Sequence, residues 1–411
     1  MQEFAIRFFY ILLFLPKTDF LGGRTIMPKG PKWKTAILMI ASTLCLSGCV
    51  EARQLEKLGL ITAVGYDLDG KNKIKGTVVV HKFDALAKNV TKVISVEAHT
   101  SKTLRQKQNL RSDQRLVSGQ LRCVVYSKEL AEKGIVQLVD TLNRDPTIGN
   151  MVFLTIAEDE ASSIINVGKN NEKQNFGTYL YNLINQNVQS EQMLEPTLQE
   201  FNHSYQDNGK DPVLPLLKVE SGDVAVTGTA LFKDDMLVTI LPTNKLFFLK
   251  ILADKYKSGT KELGFNRADF KSIIKEEEGR NFRTVYNKLF LNIDNIRSHT
   301  KIKLVDKKNL RFRIEIKFAS RLLESTEPLE LTSAKNIKFI EGQIEKKMEK
   351  EIYKLLVFFQ KQGVDPVGIG NEYITHIRGN EVTSKDWRSI YKNAKFEVHV
   401  KTTIVKTGVI D

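Results

Sequence analysis

The tetrapeptide Leu46-Ser47-Gly48-Cys49 sets the point at which the folded part of this chain can begin. Basic residues precede an apolar run, Thr35 to Leu46, that is too short and too rich in small residues to span a membrane. The pattern is typical of a lipoprotein signal, in which the cysteine thiol accepts a diacylglycerol and the chain is cut before it. We therefore predict a lipid anchor on Cys49, with Leu46, Ser47 and Gly48 as the lipobox. The alternative is an ordinary signal peptide that ends in cysteine by chance.

Two translation starts are open, Met1 and Met27. The triplet Gly22-Gly23-Arg24 would be encoded by a purine-rich stretch resembling a ribosome-binding site, at a suitable distance before Met27. We therefore predict that residues 1–26 are an untranslated upstream segment and that residues 27–48 are the signal peptide.

The composition favours a folded, exported protein. Its hydrophobic content of 42% is enough for packed cores. The net charge is +14, and removal of residues 1–48, with six basic and two acidic side chains, lowers it to +10. Such a chain is attracted to an anionic membrane surface. Export argues against nucleic acid as a partner, and the sequence contains no P-loop, zinc-finger or RNA-binding pattern.

Cysteine usage excludes an internal disulfide. Cys45 would leave with the signal peptide and Cys49 would be acylated, so Cys123 would remain alone. Cys123 lies in the apolar run Leu121 to Tyr126, where a buried structural thiol is expected rather than a nucleophile.

Alternating strand and helix patterns predict an α+β, multi-domain fold with mixed and antiparallel sheets and packed helices. The predicted strands are 60–66, 73–80, 121–126, 151–157, 224–232, 236–241, 311–319 and 395–405. The predicted helices include 129–143, one that opens at 158–165, one within 183–188 and one that begins near Arg267.

The clearest element is a long amphipathic helix near 334–362. Apolar residues recur at steps of three and four from Ile337 to Phe359, and Gly363 follows as a C-cap. We expect this stripe to pack on the sheet of its own domain, because Arg311 to Ala319 and Lys395 to Val405 alternate as half-buried strands. A groove on a partner protein is the alternative.

Turn-rich sequence before Gly222 predicts a domain boundary there. We predict an N-terminal α+β domain at 49–222, a middle region at 223–300 and a C-terminal α+β domain at 301–411. The alternative is that 223–411 forms one unit.

The sequence offers no recognisable catalytic, metal or cofactor site, and we predict that the protein is not an enzyme. The six histidines show no metal-ligand spacing, and no GxSxG elbow occurs. Asp234-Asp235 is interpreted as a tight turn rather than a carboxylate pair. Gly363 to Gly370 follows a helix instead of opening one, so it does not display amides as a phosphate loop does.

The mature chain resembles the Ger(x)C family, the lipoprotein C-subunits of nutrient germinant receptors in endospore-forming bacteria. Short segments in the same order carry the resemblance, and it spans nearly all of the mature chain. These segments are Cys49 to Gly59, Val64 to Asp67, Ser118 to Ile135, Leu142 to Pro146, Gly228 to Phe232 with Asp234-Asp235, Gln360 to Gly370, Trp387, and the closing strand to Gly408. Two features depart from the family. Val50-Glu51 replaces a tryptophan, and Asp254 to Phe282 is more charged and helical than expected.

The resemblance implies a non-catalytic subunit without cofactors, lipid-anchored on the outer face of the spore inner membrane. Its implied partners are a membrane-spanning A-subunit and a transporter-like B-subunit, which together convert a nutrient signal into ion and dipicolinate release. Two alternatives come from other classes: a lipid-anchored solute-binding protein of a transporter, and a surface-anchored hydrolase.

Overall fold

The structure is a computed structural model, and it describes residues 57–70, 73–81, 91–170, 175–275, 287–377 and 382–407. All of them lie in one compact unit, Gln54–Asp411. The predicted signal peptide, the lipobox and Cys49 lie outside the described residues.

Two mixed sheets organise these residues, as the sequence predicts. The strands of the larger sheet are β1 (Leu58–Asp69), β2 (Lys73–His81), β3 (Thr91–Ala98), β4 (Arg115–Val117), β5 (Cys123–Ser127), β6 (Phe153–Ala157), β7 (Val213–Glu220), β8 (Asp223–Lys233) and β9 (Met236–Pro242). The strands of the smaller sheet are β10 (Lys261–Asn266), β11 (Lys288–Asp306), β12 (Arg311–Ser325) and β13 (Lys395–Thr407).

Helices in the described residues cover both sheets. They are α1 (Ser101–Asn109), α2 (Lys128–Lys133), α3 (Val136–Asn143), α4 (Ala161–Asn170), α5 (Phe176–Gln189), α6 (Leu198–Gln206), α7 (Thr243–Ala253), α8 (Ala334–Gln362), α9 (Ile369–Thr375) and α10 (Ser384–Tyr391).

The larger sheet is antiparallel at both ends and parallel in the middle. Its order is β3-β2-β1-β5-β6-β7-β8-β9, with β4 beside β1, and β1, β5, β6 and β7 run parallel. Separate apolar clusters cover its two faces. Each face therefore has its own core.

A bulge in β1 decides which side chains enter which core. Ile61 pairs with Val80 and Ala63 with Val79, so Thr62 is the extra residue. Because an extra residue shifts the alternation of side chains by one, Ile61 and Val64 belong to the same core, and Ala63 belongs to the other.

The smaller sheet packs against the long helix α8. The alternating residues Phe312, Ile314, Ile316 and Phe318 of β12 are all buried, which confirms the predicted pattern. They share one apolar cluster with the stripe of α8. That stripe comprises Ile340, Ile344, Met348, Ile352, Leu355, Leu356 and Phe359. Gly363 ends the helix with a left-handed φ of 68°, the conformation expected of a glycine C-cap.

Three glutamates of α8 cover the outer edge of β13. Glu349 accepts the backbone N–H of Val400 at 3.0 Å, Glu345 that of Thr402 at 3.0 Å, and Glu341 that of Ile404 at 2.8 Å. Each glutamate follows a residue of the buried stripe, so the helix that fills the core also occupies the donors of the edge strand. An uncovered strand edge is a template for aggregation.

We expect Glu345→Ala to lower the free energy of unfolding by about 1–3 kcal/mol, because it leaves the buried N–H of Thr402 without its acceptor. Urea unfolding measures the change. Glu345→Gln keeps an acceptor oxygen and should lose less, and Lys346→Ala on the exposed face of the helix is the control. An unchanged stability in Glu345→Ala would contradict the proposed covering role.

Two predicted helices are wrong. The predicted helix 129–143 is two helices, α2 and α3, because Gly134 adopts a φ of 106° between them. The predicted helix near Arg267 is only a short 3-10 turn, Arg267–Phe270, which follows β10. Its charged residues Glu276 to Glu278 lie outside the described residues.

The proposed domain boundary near Gly222 falls in the turn between β7 and β8. Since these two strands pair with each other, the larger sheet continues on both sides of that turn. The division into domains stays a proposal.

Candidate functional site

The single cysteine among the described residues lies in a core. Cys123 is fully buried, and burial raises its pKa to about 12. Its Sγ lies 3.9 Å from Oγ1 of Thr155 on the neighbouring strand. A protonated thiol without solvent access cannot act as a nucleophile, which supports the structural role predicted for it.

The described residues contain no group of three or more His, Cys, Asp or Glu side chains placed to hold a metal ion. Helices in the same part of the chain also lack the combined length and hydropathy that crossing a bilayer requires.

A cluster of charged and polar side chains, most of them buried, joins the two sheets. It comprises Asp211, which precedes β7, Asp234 in the β8–β9 turn, Asp365 between α8 and α9, and Trp387 and Arg388 on α10. We call these five residues the joint. The first two belong to the larger sheet and the other three to the segments that follow α8, so the joint connects parts of the chain that are far apart in sequence.

Arg388 is the cation of the joint. Its Nη2 lies 2.6 Å from Asp211 and 2.8 Å from Asp234, and its Nη1 donates to Asp234 at 2.9 Å. The side chain of Asp211 is only 6% exposed and that of Arg388 13%, whereas that of Asp234 is 41% exposed. Burial opposes the charge on Arg388, but the bonds to Asp234 and the charge of Asp211 outweigh it and raise its pKa.

Asp365 organises the turn after α8. Its carboxylate accepts the N–H of Gly368 at 2.9 Å, the N–H of Gly370 at 2.8 Å and Nε1 of Trp387 at 3.1 Å. Its own backbone is paired with Asp211, because the N–H of Asp365 donates to the Asp211 carboxylate at 2.7 Å and the N–H of Asp211 donates to the Asp365 carbonyl at 2.8 Å. Asp365 therefore connects the turn, α10 and the larger sheet.

Burial raises the pKa of Asp365 to about 7, against the opposing amide bonds and with a smaller contribution from the neighbouring Asp211 carboxylate. Burial also raises the pKa of Asp211, while Arg388 opposes that rise. The joint thus holds carboxyl groups in an environment that penalises their charge, and Arg388 compensates the charge of Asp211.

Two glycines let the backbones of the joint touch. A Cβ on Gly370 would lie 2.6 Å from Cα of Gly209 and 2.6 Å from Nε1 of Trp387. A Cβ on Gly209 would overlap with the backbone nitrogen of Asn371. The side chain of Asn371 also donates to Asp207 at 2.6 Å. The loop before β7 and the start of α9 therefore meet at van der Waals contact with no space for a side chain.

The Asp234-Asp235 turn is confirmed as a β-hairpin turn, and its two carboxylates serve different neighbours. Asp234 pairs with Arg388, whereas the Asp235 carboxylate accepts the N–H of Val136 at 3.0 Å, at the first turn of α3. The turn thereby holds both α3 and α10 against the end of the β8–β9 hairpin.

Most of these residues were named from the sequence, but their contact with one another was not predicted. Asp234-Asp235, Gln360 to Gly370 and Trp387 each appear among the segments of family resemblance, and the structure brings them together. Arg388 and Asp211 were missed, because a single arginine in a helix and an aspartate in a turn-rich loop carry no pattern. Asp211 shares an Asp-Pro pair with Asp365, at 211–212 and 365–366, but the same pair at 145–146 lies outside the joint, and no local pattern marks Arg388.

The comparisons with known proteins cover almost the whole described region. A family model described as the spore germination protein N-terminal domain matches residues 51–219. A second one, described as spore germination B3/GerAC like, C-terminal, matches residues 227–408.

Individual relatives are also spore germination proteins. The chain is 26% identical over 379 residues to the spore germination protein GerQC of Bacillus cereus, covering 92% of this chain and 100% of that protein. It is 22% identical over 399 residues to the spore germination protein KC of Bacillus subtilis (strain 168), covering 91% and 95%. The crystal structure of the GerBC protein matches with a TM-score of 0.52 and 16% identity, covering 83% of this chain and 96% of that chain; at that identity it shows a shared fold.

The fold and both matched regions define a spore germination protein. The chain belongs to the Ger(x)C family, the C-subunits of germinant receptors. Membership implies a receptor complex with other subunits and an association with spore membranes.

Proposed function

We propose that this protein is the lipid-anchored, non-catalytic subunit of a nutrient germinant receptor, tethered through Cys49 to the outer face of the spore inner membrane. There it docks on the extracytoplasmic parts of an A-subunit and a B-subunit that span the membrane. The observation that carries the proposal is the match of both family regions, in order, directly after the lipobox.

The tether makes a modest docking surface sufficient. A protein held on the same membrane as its partners meets them at an effective concentration set by the tether, so binding becomes nearly intramolecular. Two acyl chains hold such a tether stably. The net charge of +10 predicted for the processed chain adds attraction to anionic lipid headgroups.

The joint supports this role, because a docking subunit must present its surfaces at fixed relative positions. Arg388 and Asp365 bind the segments after α8 to the end of the larger sheet, through buried bonds rather than a flexible linker. A partner that contacts both sheets would therefore meet one preorganised surface, which lowers the entropic cost of binding.

Replacing Cys49 with alanine is the direct test of the tether. We expect Cys49→Ala to release the protein from the membrane fraction and to slow nutrient germination at least about tenfold, since the effective concentration is lost. Fractionation of spore membranes with immunoblotting, and the rate of dipicolinate release after nutrient addition, measure both effects.

Cys45→Ala is the matched control, because it changes a cysteine of the same segment and leaves the lipobox intact. Circular dichroism of the released Cys49→Ala protein should match that of the wild type. Normal germination by Cys49→Ala spores that contain the full receptor would refute the tether.

Partner identity is tested separately, by affinity purification from detergent-solubilised membranes of dormant spores followed by mass spectrometry. Recovery of a membrane-spanning A-subunit and B-subunit supports docking. Recovery of a transporter permease instead would revive the solute-binding alternative, which the comparisons do not favour.

A further inference from the structure

A cavity of about 320 Å³ lies on one face of the larger sheet, between α1, α3 and β1. Its walls are mainly apolar, with Ile61 and Val64 from the sheet, Leu104 from α1 and Leu142 from α3. Its volume falls at the lower end of the roughly 300–1,000 Å³ typical of small-molecule sites. The cavity is thus large enough for a small organic molecule.

The bulge in β1 and the seating of α1 create this cavity. The bulge turns Ile61 and Val64 toward the same side, where both line the cavity. Helix α1 approaches β2 closely at Gly76, whose carbonyl accepts Nε2 of Gln108 at 3.2 Å and where a Cβ would meet Leu104 at 2.8 Å. Helix α1 is therefore fixed at its Leu104–Gln108 turn, and Arg105 lies within that turn.

Arg105 lines the cavity, and its side chain is partly buried there. Its Nη1 is buried and has no hydrogen-bond partner, and the side chain forms no ion pair with a carboxylate of the described residues. Burial lowers the pKa of its guanidinium, against smaller opposing contributions from Tyr66 and Asp145. A buried donor without an acceptor destabilises a fold, and an oxygen of a bound ligand would satisfy it.

The charges around the cavity favour an anion. Among the lining side chains, Lys102, Arg105 and Arg144 are cationic and Asp145 is the single carboxylate. The Asp145 carboxylate attracts the Arg105 guanidinium but forms no ion pair with it, and its Oδ1 accepts the backbone N–H of Thr147 at 3.0 Å and the hydroxyl of Thr147 at 2.6 Å. A planar guanidinium is well suited to receive a carboxylate from a ligand.

We propose that this cavity binds a small molecule with one carboxylate on an apolar body, with the carboxylate at Arg105 and the apolar part against Ile61, Val64 and Leu142. The proposal goes beyond the receptor role. It is tested on the purified protein alone, so its failure leaves docking and tethering untouched.

The probes are benzoate and isovalerate, with benzamide and isovaleramide as uncharged counterparts of the same shape. Isothermal titration calorimetry on the full chain in lipid nanodiscs should show saturable binding of a carboxylate probe. Its amide should bind at least about tenfold more weakly, the loss expected for one charge-assisted hydrogen bond. No binding of either carboxylate, or equal binding of the amide, would overturn the proposal.

Arg105→Met tests whether the carboxylate probes bind in this cavity. It should weaken carboxylate binding at least about tenfold, whereas Arg115→Met, which changes an exposed arginine of the same sheet, should leave binding unchanged. The melting temperature of the unliganded Arg105→Met protein should equal or exceed that of the wild type, because a partly buried charge without an ion pair is removed. A lower melting temperature, or unaltered binding, would show that Arg105 is structural and would overturn the proposal.

Lys102→Glu provides a second variant that does not disturb the core, because Lys102 is exposed at the rim. Reversing this charge should weaken binding of the carboxylate and leave the melting temperature unchanged. Binding unaffected by the reversal would contradict the anionic character that we assign to the ligand.

Discussion

Replacing Arg388 with methionine is expected to lower the free energy of unfolding by about 3–5 kcal/mol. Methionine fills much of the same volume but leaves the carboxylate of Asp211, which is only 6% exposed, without its cation. The already raised pKa of Asp211 would rise further, because Arg388 is the charge that opposes the effect of burial. Urea unfolding followed by circular dichroism measures the loss.

The fluorescence of Trp387 reports on the joint itself. The chain has two tryptophans, and Trp33 lies in the predicted signal peptide, so a processed chain would carry Trp387 alone. In the Arg388→Met protein, we expect its emission to change at a lower urea concentration than the circular dichroism signal, because the segments after α8 would separate from the larger sheet first.

Arg144→Met is the matched control. Arg144 is 83% exposed and lies 3.9 Å from Asp140, and a surface pair of this kind contributes about 0–1 kcal/mol.

The double variant Arg388→Met with Asp211→Asn should recover part of the loss of stability, since it removes the uncompensated charge. A stability loss in Arg388→Met no larger than that in Arg144→Met would show that the joint does not hold the sheets together.

Local patterns in this sequence predict much of the fold. Strands such as β12 alternate between buried and exposed positions, and a stripe of apolar residues gives α8, because one side of each element faces a core. The wrong helix predictions also have local causes. Gly134 divides α2 from α3 by a backbone conformation that the helical spacing of the surrounding residues does not reveal.

The joint could not be predicted in the same way, because its members lie far apart in the chain. Asp211 and Arg388 meet across a sequence separation of 177 residues. Each residue has an ordinary local environment, an aspartate before a proline and an arginine on a short helix. Only the folding of the last segments onto the larger sheet gives them a function. The family resemblance marked their neighbours but not the contact.

The second large loss of stability is expected from Gly370→Ala. Gly370 needs no positive φ, so the substitution adds only one methyl group. That methyl group would lie 2.6 Å from Cα of Gly209 and 2.7 Å from its carbonyl oxygen, and a backbone cannot yield as a flexible side chain can. We therefore expect a loss of about 3 kcal/mol, the upper part of the range for overpacked sites. Earlier unfolding of the Trp387 signal should accompany it.

Gly342→Ala is the matched control for Gly370→Ala. Gly342 lies inside α8, and a Cβ there would meet nothing within 4 Å. The same substitution should therefore stabilise the protein by about 0.5–1 kcal/mol, because alanine favours a helix over glycine. Opposite signs for the two glycines would attribute the loss at Gly370 to the contact between the segments. If Gly370→Ala were instead neutral, the loop before β7 and the start of α9 could separate at little cost, and the fixed arrangement of the two sheets proposed for docking would be wrong.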